Sequence, residues 1–227
     1  MPRITLIHGI QMAQQPAWDA FARGWPEAQV FNLLDDSLSA DLFTEGTLTS
    51  SLSDRIVSLA HYAAGAGAGG HLTDGIVFTC SPFGPAIRKA RAELSIPVLL
   101  ATEAALDLAL EAGPRVGLVA ASNDFILPHA ADLKDLARQS GKPIEVTHVV
   151  PPGSLELLKV GKQEEYYRCV ADAASAVKDV DTLLFLQFSM APAASLVPHV
   201  EGRRVLTTPG AAVERIKNIL KRKPALA

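Results

Sequence analysis

The chain carries only two thiols, and one of them stands where a thiol can do chemistry. Cys80 ends the apolar run 76–79 and is followed by Ser81-Pro82. A helix starting near Pro82 would aim its free N–H groups at the sulfur. That partial positive charge lowers a thiol pKa and favours the thiolate, which can serve as base or nucleophile. The same N–H groups can hold a carboxylate or a developing oxyanion. A buried, inert cysteine is the competing reading. Cys169 sits in the helical stretch 164–177, at a position suited to an apolar face, and core packing accounts for it. The two are 169 − 80 = 89 positions apart, with no CxxC or Cys/His spacing. Neither a disulfide framework nor a structural zinc site is expected, and no metal or cofactor motif is present.

Other candidates follow from where such residues must sit. In open parallel sheets, ligands bind beyond the carboxyl ends of the strands. The polar residues ending the apolar runs are His8, Cys80-Ser81, Ser122-Asn123, Gln187-Phe188-Ser189 and Thr207-Thr208. His8 suits a substrate oxygen or a proton relay, or is simply hydrogen-bonded. Ser122-Asn123 precedes a helical stretch, so capping and anion binding by its hydroxyl and the following amides are compatible readings. His61, His71, His129, His148 and His199 share no spacing and stay unassigned.

Strand candidates run at 4–8, 30–33, 76–79, 98–101, 116–120, 144–149, 183–186 and 205–207, most of them apolar nearly throughout, as parallel strands covered on both faces are. Helical stretches alternate with them. Ser51 or Ser53 caps one running to about Ala64, ended by the Gly/Ala-rich stretch 65–70. Thr102 caps 103–112, before Gly113-Pro114. Pro209 suits the first turn of the last helix. This alternation predicts an α/β fold with right-handed crossovers. A weak repeat runs through it. Asp74-Gly75-Ile76-Val77-Phe78-Thr79-Cys80 lies without gaps on Asp181-Thr182-Leu183-Leu184-Phe185-Leu186-Gln187, and Arg3-Ile4-Thr5-Leu6-Ile7 resembles Arg115-Val116-Gly117-Leu118-Val119. A duplicated α/β lobe explains both pairings, although parallel strands also look alike.

Size and charge exclude several classes. The 227 residues are 48% hydrophobic and 20% charged, enough to bury a substantial core in one large or two small domains. A net charge of -3 offers no general attraction to nucleic acid. The one basic cluster, from Lys217 to Lys223, reads as a solvated helix end. No apolar run reaches the roughly 20 residues of a membrane span. The opening residues hold one positive charge and too short an apolar stretch for a signal peptide, so a cytoplasmic location is expected.

These segments resemble the aspartate/glutamate/hydantoin racemase superfamily. The resemblance is carried by residues 74–80, by Ile96-Pro97-Val98 leading into Glu103-Ala104-Ala105, and by residues 115–120. It continues through residues 181–187 followed by Met190-Ala191, and through 205–212. It implies two Rossmann-like parallel-sheet lobes related by a pseudo-twofold axis, with the active site in the cleft between them. Residues 1–100 plus 206–227 form the first lobe, with a returning C-terminal helix, and 101–205 form the second. It also implies a small carboxylate substrate, no cofactor, and dimers or higher homo-oligomers.

Family members place one cysteine per lobe at equivalent strand ends, flanking a carbon next to a carboxylate. One removes a proton and the other returns it on the far face. Cys80 matches the first position, whereas Gln187 stands at the second and Phe188 would stand there in a shifted register. A glutamine amide neither gives nor takes a proton usefully near neutral pH. His8 corresponds to the family's polar residue ending the first strand, and Ser122 to its Thr/Ser in the second lobe. The substrate-binding set implied is therefore His8, Ser81, Ser122, Asn123, Gln187, Phe188 and Ser189. The resemblance implies a racemase/isomerase-type enzyme with Cys80 as its single thiol acid/base. Arylmalonate decarboxylase relatives, which keep only the second-lobe cysteine, suggest one-faced decarboxylation as the alternative, here with the opposite hand of product. His8 as a second acid/base, a non-catalytic carboxylate binder, and a cysteine nucleophile forming a covalent adduct stay open. Phe83, Phe188 and Met190 mildly favour a bulky, non-amino-acid carboxylate.

Overall fold

The computed structural model describes residues 1–222, so Lys223 of the basic cluster lies outside the described residues. The chain forms two compact units. One is Met1–Ala104 with the segment from Pro209 on, and the other is Ala105–Thr208.

The first unit contains β1 (Arg3–His8), α1 (Gln14–Gly24), β2 (Gln29–Leu34), α2 (Leu38–Glu45) and α3 (Ser50–Gly65). A short hairpin of β3 (Gly67–Ala68) and β4 (His71–Leu72) follows. Next come β5 (Gly75–Phe78), α4 (Gly84–Glu93), β6 (Val98–Leu100) and the start of α5 (Ala101–Ala112). Its four-stranded parallel sheet has the order β2-β1-β5-β6. The second unit contains β7 (Arg115–Val119), α6 (Asn123–Gln139), β8 (Glu145–Val149), α7 (Ser154–Lys159), α8 (Gln163–Ala176), β9 (Thr182–Phe185) and β10 (Arg204–Thr207). Its parallel sheet has the order β10-β9-β7-β8. The helix α9 (Thr208–Arg222) belongs with the first unit, where Lys217 Nζ donates to the Gly24 carbonyl at 2.7 Å.

The pattern of burial explains these orders. β5 and β9 are buried at every residue and sit inside their sheets, whereas β2 and β8 alternate with exposed residues at the edges. Ile56, Phe78, Phe83 and Ile87 build the core of the first unit, and Val119, Val170, Leu183 and Phe185 that of the second. A division at 205 would have cut through β10, but β10 is hydrogen-bonded to β9, so the second unit runs to Thr208.

All eight expected strands form, with ends shifted by a residue. Ala101 opens α5 instead of closing β6, so Thr102 lies inside the helix and is not its cap. The cap of α3 is Thr49, whose side chain accepts from the Leu52 N–H at 3.3 Å; neither Ser51 nor Ser53 fills that place.

The repeat holds at the level of hydrogen bonds. β1 pairs with β5 in the register Ile4↔Gly75, and β7 pairs with β9 in the register Val116↔Thr182. In each sheet the aspartate before the inner strand accepts from the amide at the start of the neighbouring strand. Asp74 takes the Arg3 N–H at 2.7 Å, and Asp181 takes the Arg115 N–H at 2.9 Å. Reading β2-β1-β5-β6 beside β8-β7-β9-β10 matches every strand of one sheet with a strand of the other.

Among the described residues, no helix is long and apolar enough to cross a membrane, and no cluster of three or more His, Cys, Asp or Glu side chains forms a metal site.

Candidate active site

Cys80 follows β5 by two residues and is 8% exposed. The Gly9 N–H, just past β1, donates to its Sγ at 2.7 Å, and the Thr79 hydroxyl lies 3.8 Å away. The Gly9 carbonyl in turn accepts from the Ser39 hydroxyl at 3.0 Å. Position 9 has to be glycine for this approach, because a Cβ there would stand 2.9 Å from the sulfur and 3.4 Å from Ser39 Oγ.

The expected source and effect of the N–H groups are both corrected. After Cys80 comes a single 3-10 turn, Ser81–Phe83, to which the Cys80 side chain makes no capping bond, and α4 begins only at Gly84. The donor at the sulfur comes from the neighbouring strand end. Burial pushes the thiol up to about 11, outweighing the Thr79 and Gly9 contacts that pull it down. At neutral pH Cys80 is a thiol seated on an amide donor, not a resting thiolate.

His8 takes the hydrogen-bonded alternative. It is fully buried, with Nε2 2.9 Å from Asn32 Oδ1 and Nδ1 3.0 Å from Thr79 Oγ1. Both ring nitrogens are engaged inside the unit, so neither is available to a substrate oxygen. Burial holds its pKa below the ordinary histidine value, against the raising effect of the Asn32 bond, and the ring is neutral.

The connection from β2 to α2 is tied by charge. Asp35 donates its N–H to the His8 carbonyl at 3.0 Å. Its carboxylate accepts from Arg55 Nε at 2.6 Å, and Asp41 accepts from Arg55 Nη1 at 2.6 Å. Arg55 Nη2 reaches Asp35 and Ser37 as well. This clamp fixes the segment that delivers Ser39 to Gly9.

The second unit builds the same seat with a different occupant. Gln187 follows β9 by two residues, and its Oε1 accepts from the Ala121 N–H at 2.7 Å. In the repeat, Ala121 corresponds to Gly9 and Gln187 to Cys80, so an amide just past the one strand binds the side chain just past the other in both units.

The remaining candidates divide. Ser122 caps α6 by accepting from the Phe125 N–H at 3.3 Å, Asn123 is exposed on its first turn, and Ser81 is half-buried beside Cys80. Phe188 and Ser189 are buried, at 5% and 3% exposed, in the 3-10 segment Phe188–Leu196. Thr208 turns its hydroxyl to the Phe185 and Leu186 carbonyls. Cys169 is half-buried rather than packed in the core, and its thiol donates to the Pro152 carbonyl at 3.2 Å.

Sequence reasoning passed over Gly9, Asn32, Ser39 and Thr79 as site residues. The repeat held a signal for one of them. Laid residue by residue, it sets Thr79 against Leu186 and His8 against Ala120, so the two polar residues occur only beside the thiol.

No protein-family model matches the chain, and no curated protein matches it in sequence. Solved structures do match in fold. Aspartate racemase from Picrophilus torridus superposes with a TM-score of 0.69 at 12% identity, over 97% of this chain and 95% of that one. Allantoin racemase from Klebsiella pneumoniae gives 0.62 at 19% identity, over 100% and 91%. A glycine-to-cysteine mutant of arylmalonate decarboxylase in its sulfate ion associated form gives 0.60 at 16% identity, over 98% and 95%. Identities this low speak for architecture alone, and by that measure the chain has the fold of the aspartate/glutamate/hydantoin racemase superfamily.

Proposed function

We propose that the protein is a cofactor-independent enzyme that transfers a proton at a carbon next to a carboxylate, with Cys80 as its thiol acid/base. The observation that carries this reading is the seat of Cys80, a thiol past an inner strand with the Gly9 N–H 2.7 Å from its sulfur. A donor in that position stabilises the sulfur whenever it carries negative charge, which is what a base in proton abstraction must do. The fold shared with aspartate and allantoin racemases supports the same reaction class.

No proton transfer is assigned to Gln187, which holds the equivalent seat and titrates nowhere near neutral pH. This single thiol favours a second reading, one-faced decarboxylation of a malonate followed by protonation from Cys80. The fold shared with arylmalonate decarboxylase is consistent with it.

The test is a panel of amino acids, hydantoins, malonates and maleate incubated in deuterated buffer and followed by NMR, polarimetry and chiral analysis. Turnover or α-proton exchange by the wild type that is lost in Cys80→Ala supports proton transfer. Exchange without loss of carbon dioxide selects isomerisation, and loss of carbon dioxide with one hand of deuterated product selects decarboxylation. A thioester or thioether trapped on Cys80, or ligand binding with no exchange, would overturn the proposal.

A further inference from the structure

A thiol this deeply buried supplies little thiolate at neutral pH, so acid/base work needs a route by which its proton leaves. The residues behind Cys80 form such a route. Asn32 presents Oδ1 to His8 Nε2 at 2.9 Å, so Nε2 carries the imidazole proton and Nδ1 the lone pair. Thr79 Oγ1 lies 3.0 Å from that Nδ1 and 3.8 Å from the sulfur. The Thr79 hydroxyl also reaches the Ile7 carbonyl at 3.3 Å; when its single proton turns from that carbonyl to Nδ1, the oxygen lone pairs are left to accept from the S–H.

We propose, resting on the reading of Cys80 as the acid/base, that Thr79 and His8 are positioning residues forming a proton relay that ionises it. The S–H bond breaks as an O–H bond forms on Thr79, and the original Thr79 O–H bond breaks as an N–H bond forms on His8 Nδ1. The sulfur keeps the electron pair as a thiolate held by the Gly9 N–H at 2.7 Å. Imidazole becomes imidazolium only transiently, against the burial that keeps the resting ring neutral, with its Nε2–H still bonded to Asn32. Net charge is unchanged, and no other reactant takes part. The reverse transfer reloads the thiol.

The second unit supplies an independent argument. At the positions equivalent to Thr79 and His8 it has Leu186 and Ala120, both buried, and its seat holds a glutamine that has no proton to move. A buried imidazole and hydroxyl are expensive to place in a core unless they are hydrogen-bonded, as both are. They occur only in the unit whose seat holds a thiol.

Alkylation by iodoacetamide tests the relay without any carboxylate substrate, with modification at Cys80 and Cys169 separated by peptide mass spectrometry of the full-length protein. Thr79→Val removes the proton carrier at nearly constant shape, and His8→Gln keeps a hydrogen-bonding side chain that cannot become a cation. Each should slow alkylation at Cys80 by roughly 10²-fold, the low end of what a positioned proton acceptor contributes, while Cys169 is unaffected. Thr79→Ser, which keeps the hydroxyl, should retain the wild-type rate and guards against a Thr79→Val protein that fails to fold. An unreactive Cys80 in the wild type, or a folded Thr79→Val or His8→Gln protein alkylated at the wild-type rate, overturns the relay. Because the readout needs no substrate, the relay can fail while α-proton exchange persists, and it can stand where the substrate panel yields nothing.

Discussion

Replacing Gly9 by alanine asks whether the amide seat matters to the thiol or merely lies beside it. The backbone tolerates the change, since Gly9 is not among the residues with positive φ. The added methyl would stand 2.9 Å from Cys80 Sγ, inside any normal contact, so the sulfur must move off the Gly9 N–H that now holds it at 2.7 Å. A hydrogen bond to a charged group contributes roughly 1.5–3 kcal/mol. Losing it from the thiolate therefore slows thiolate chemistry by about 10- to 150-fold. Overpacking adds about 1–3 kcal/mol of destabilisation. Gly75→Ala separates the two effects. Its methyl would meet Ile216 Cδ1 at 2.9 Å, a flexible side-chain tip on α9, and would cost stability without touching the sulfur. Thermal melts and Cys80 alkylation rates on both variants decide the matter. Both melting temperatures should fall, by about 2–4 °C for each kcal/mol in a chain of this size, and only Gly9→Ala should slow alkylation. A Gly9→Ala protein that reacts at the wild-type rate, or a Gly75→Ala protein slowed as much, refutes the reasoning.

Gln187→Leu strands the buried Ala121 N–H and should cost about 1–3 kcal/mol, whereas Gln187→Glu keeps an acceptor oxygen there and should melt close to the wild type. Equal melting temperatures for the two variants would show that the bond contributes nothing. The Arg115 guanidinium and amide hold the Asp181 carboxyl below its ordinary range, so the stability this pairing contributes is present above the unfolded carboxylate pKa of about 3.9 and is lost as pH falls through the lower folded value. The acid limb of a stability-against-pH curve should therefore be shallower in Asp181→Asn, and an unchanged limb below pH 4 would remove Asp181 from the account.

What the sequence showed and what it concealed divide along the range of the forces involved. The eight sheet strands were legible because each is an apolar run whose period and length are local properties. The hairpin at 67–72 was not, since two-residue strands rich in glycine read only as a helix stop. Cys80 and Gln187 were legible as strand-end residues, yet the ionisation of the thiol was read with the wrong sign. The helix N-terminus is a local inference, whereas the burial that outweighs it draws on a core cluster that includes Ile7, Leu38 and Ile56, each distant in sequence. His8 shows the same limit. A histidine at a strand end has no direction until Asn32, 24 residues on, arrives opposite its ring.

The two seats show why a frame can stay fixed while its chemistry changes. A backbone N–H donates to any side-chain acceptor that reaches it, whether a sulfur at the γ position or an amide oxygen at the ε position. The register of the strands, the aspartates that close them and the amides themselves are indifferent to the occupant. Acidity is different, because a thiol buried on such a seat is useful only with a neighbour that can carry its proton. Substituting the occupant alone therefore leaves the fold intact but does not transplant the reaction. If the proposed relay holds, the proton chemistry belongs to the unit that keeps Thr79 and His8, since the other has Leu186 and Ala120 at those positions.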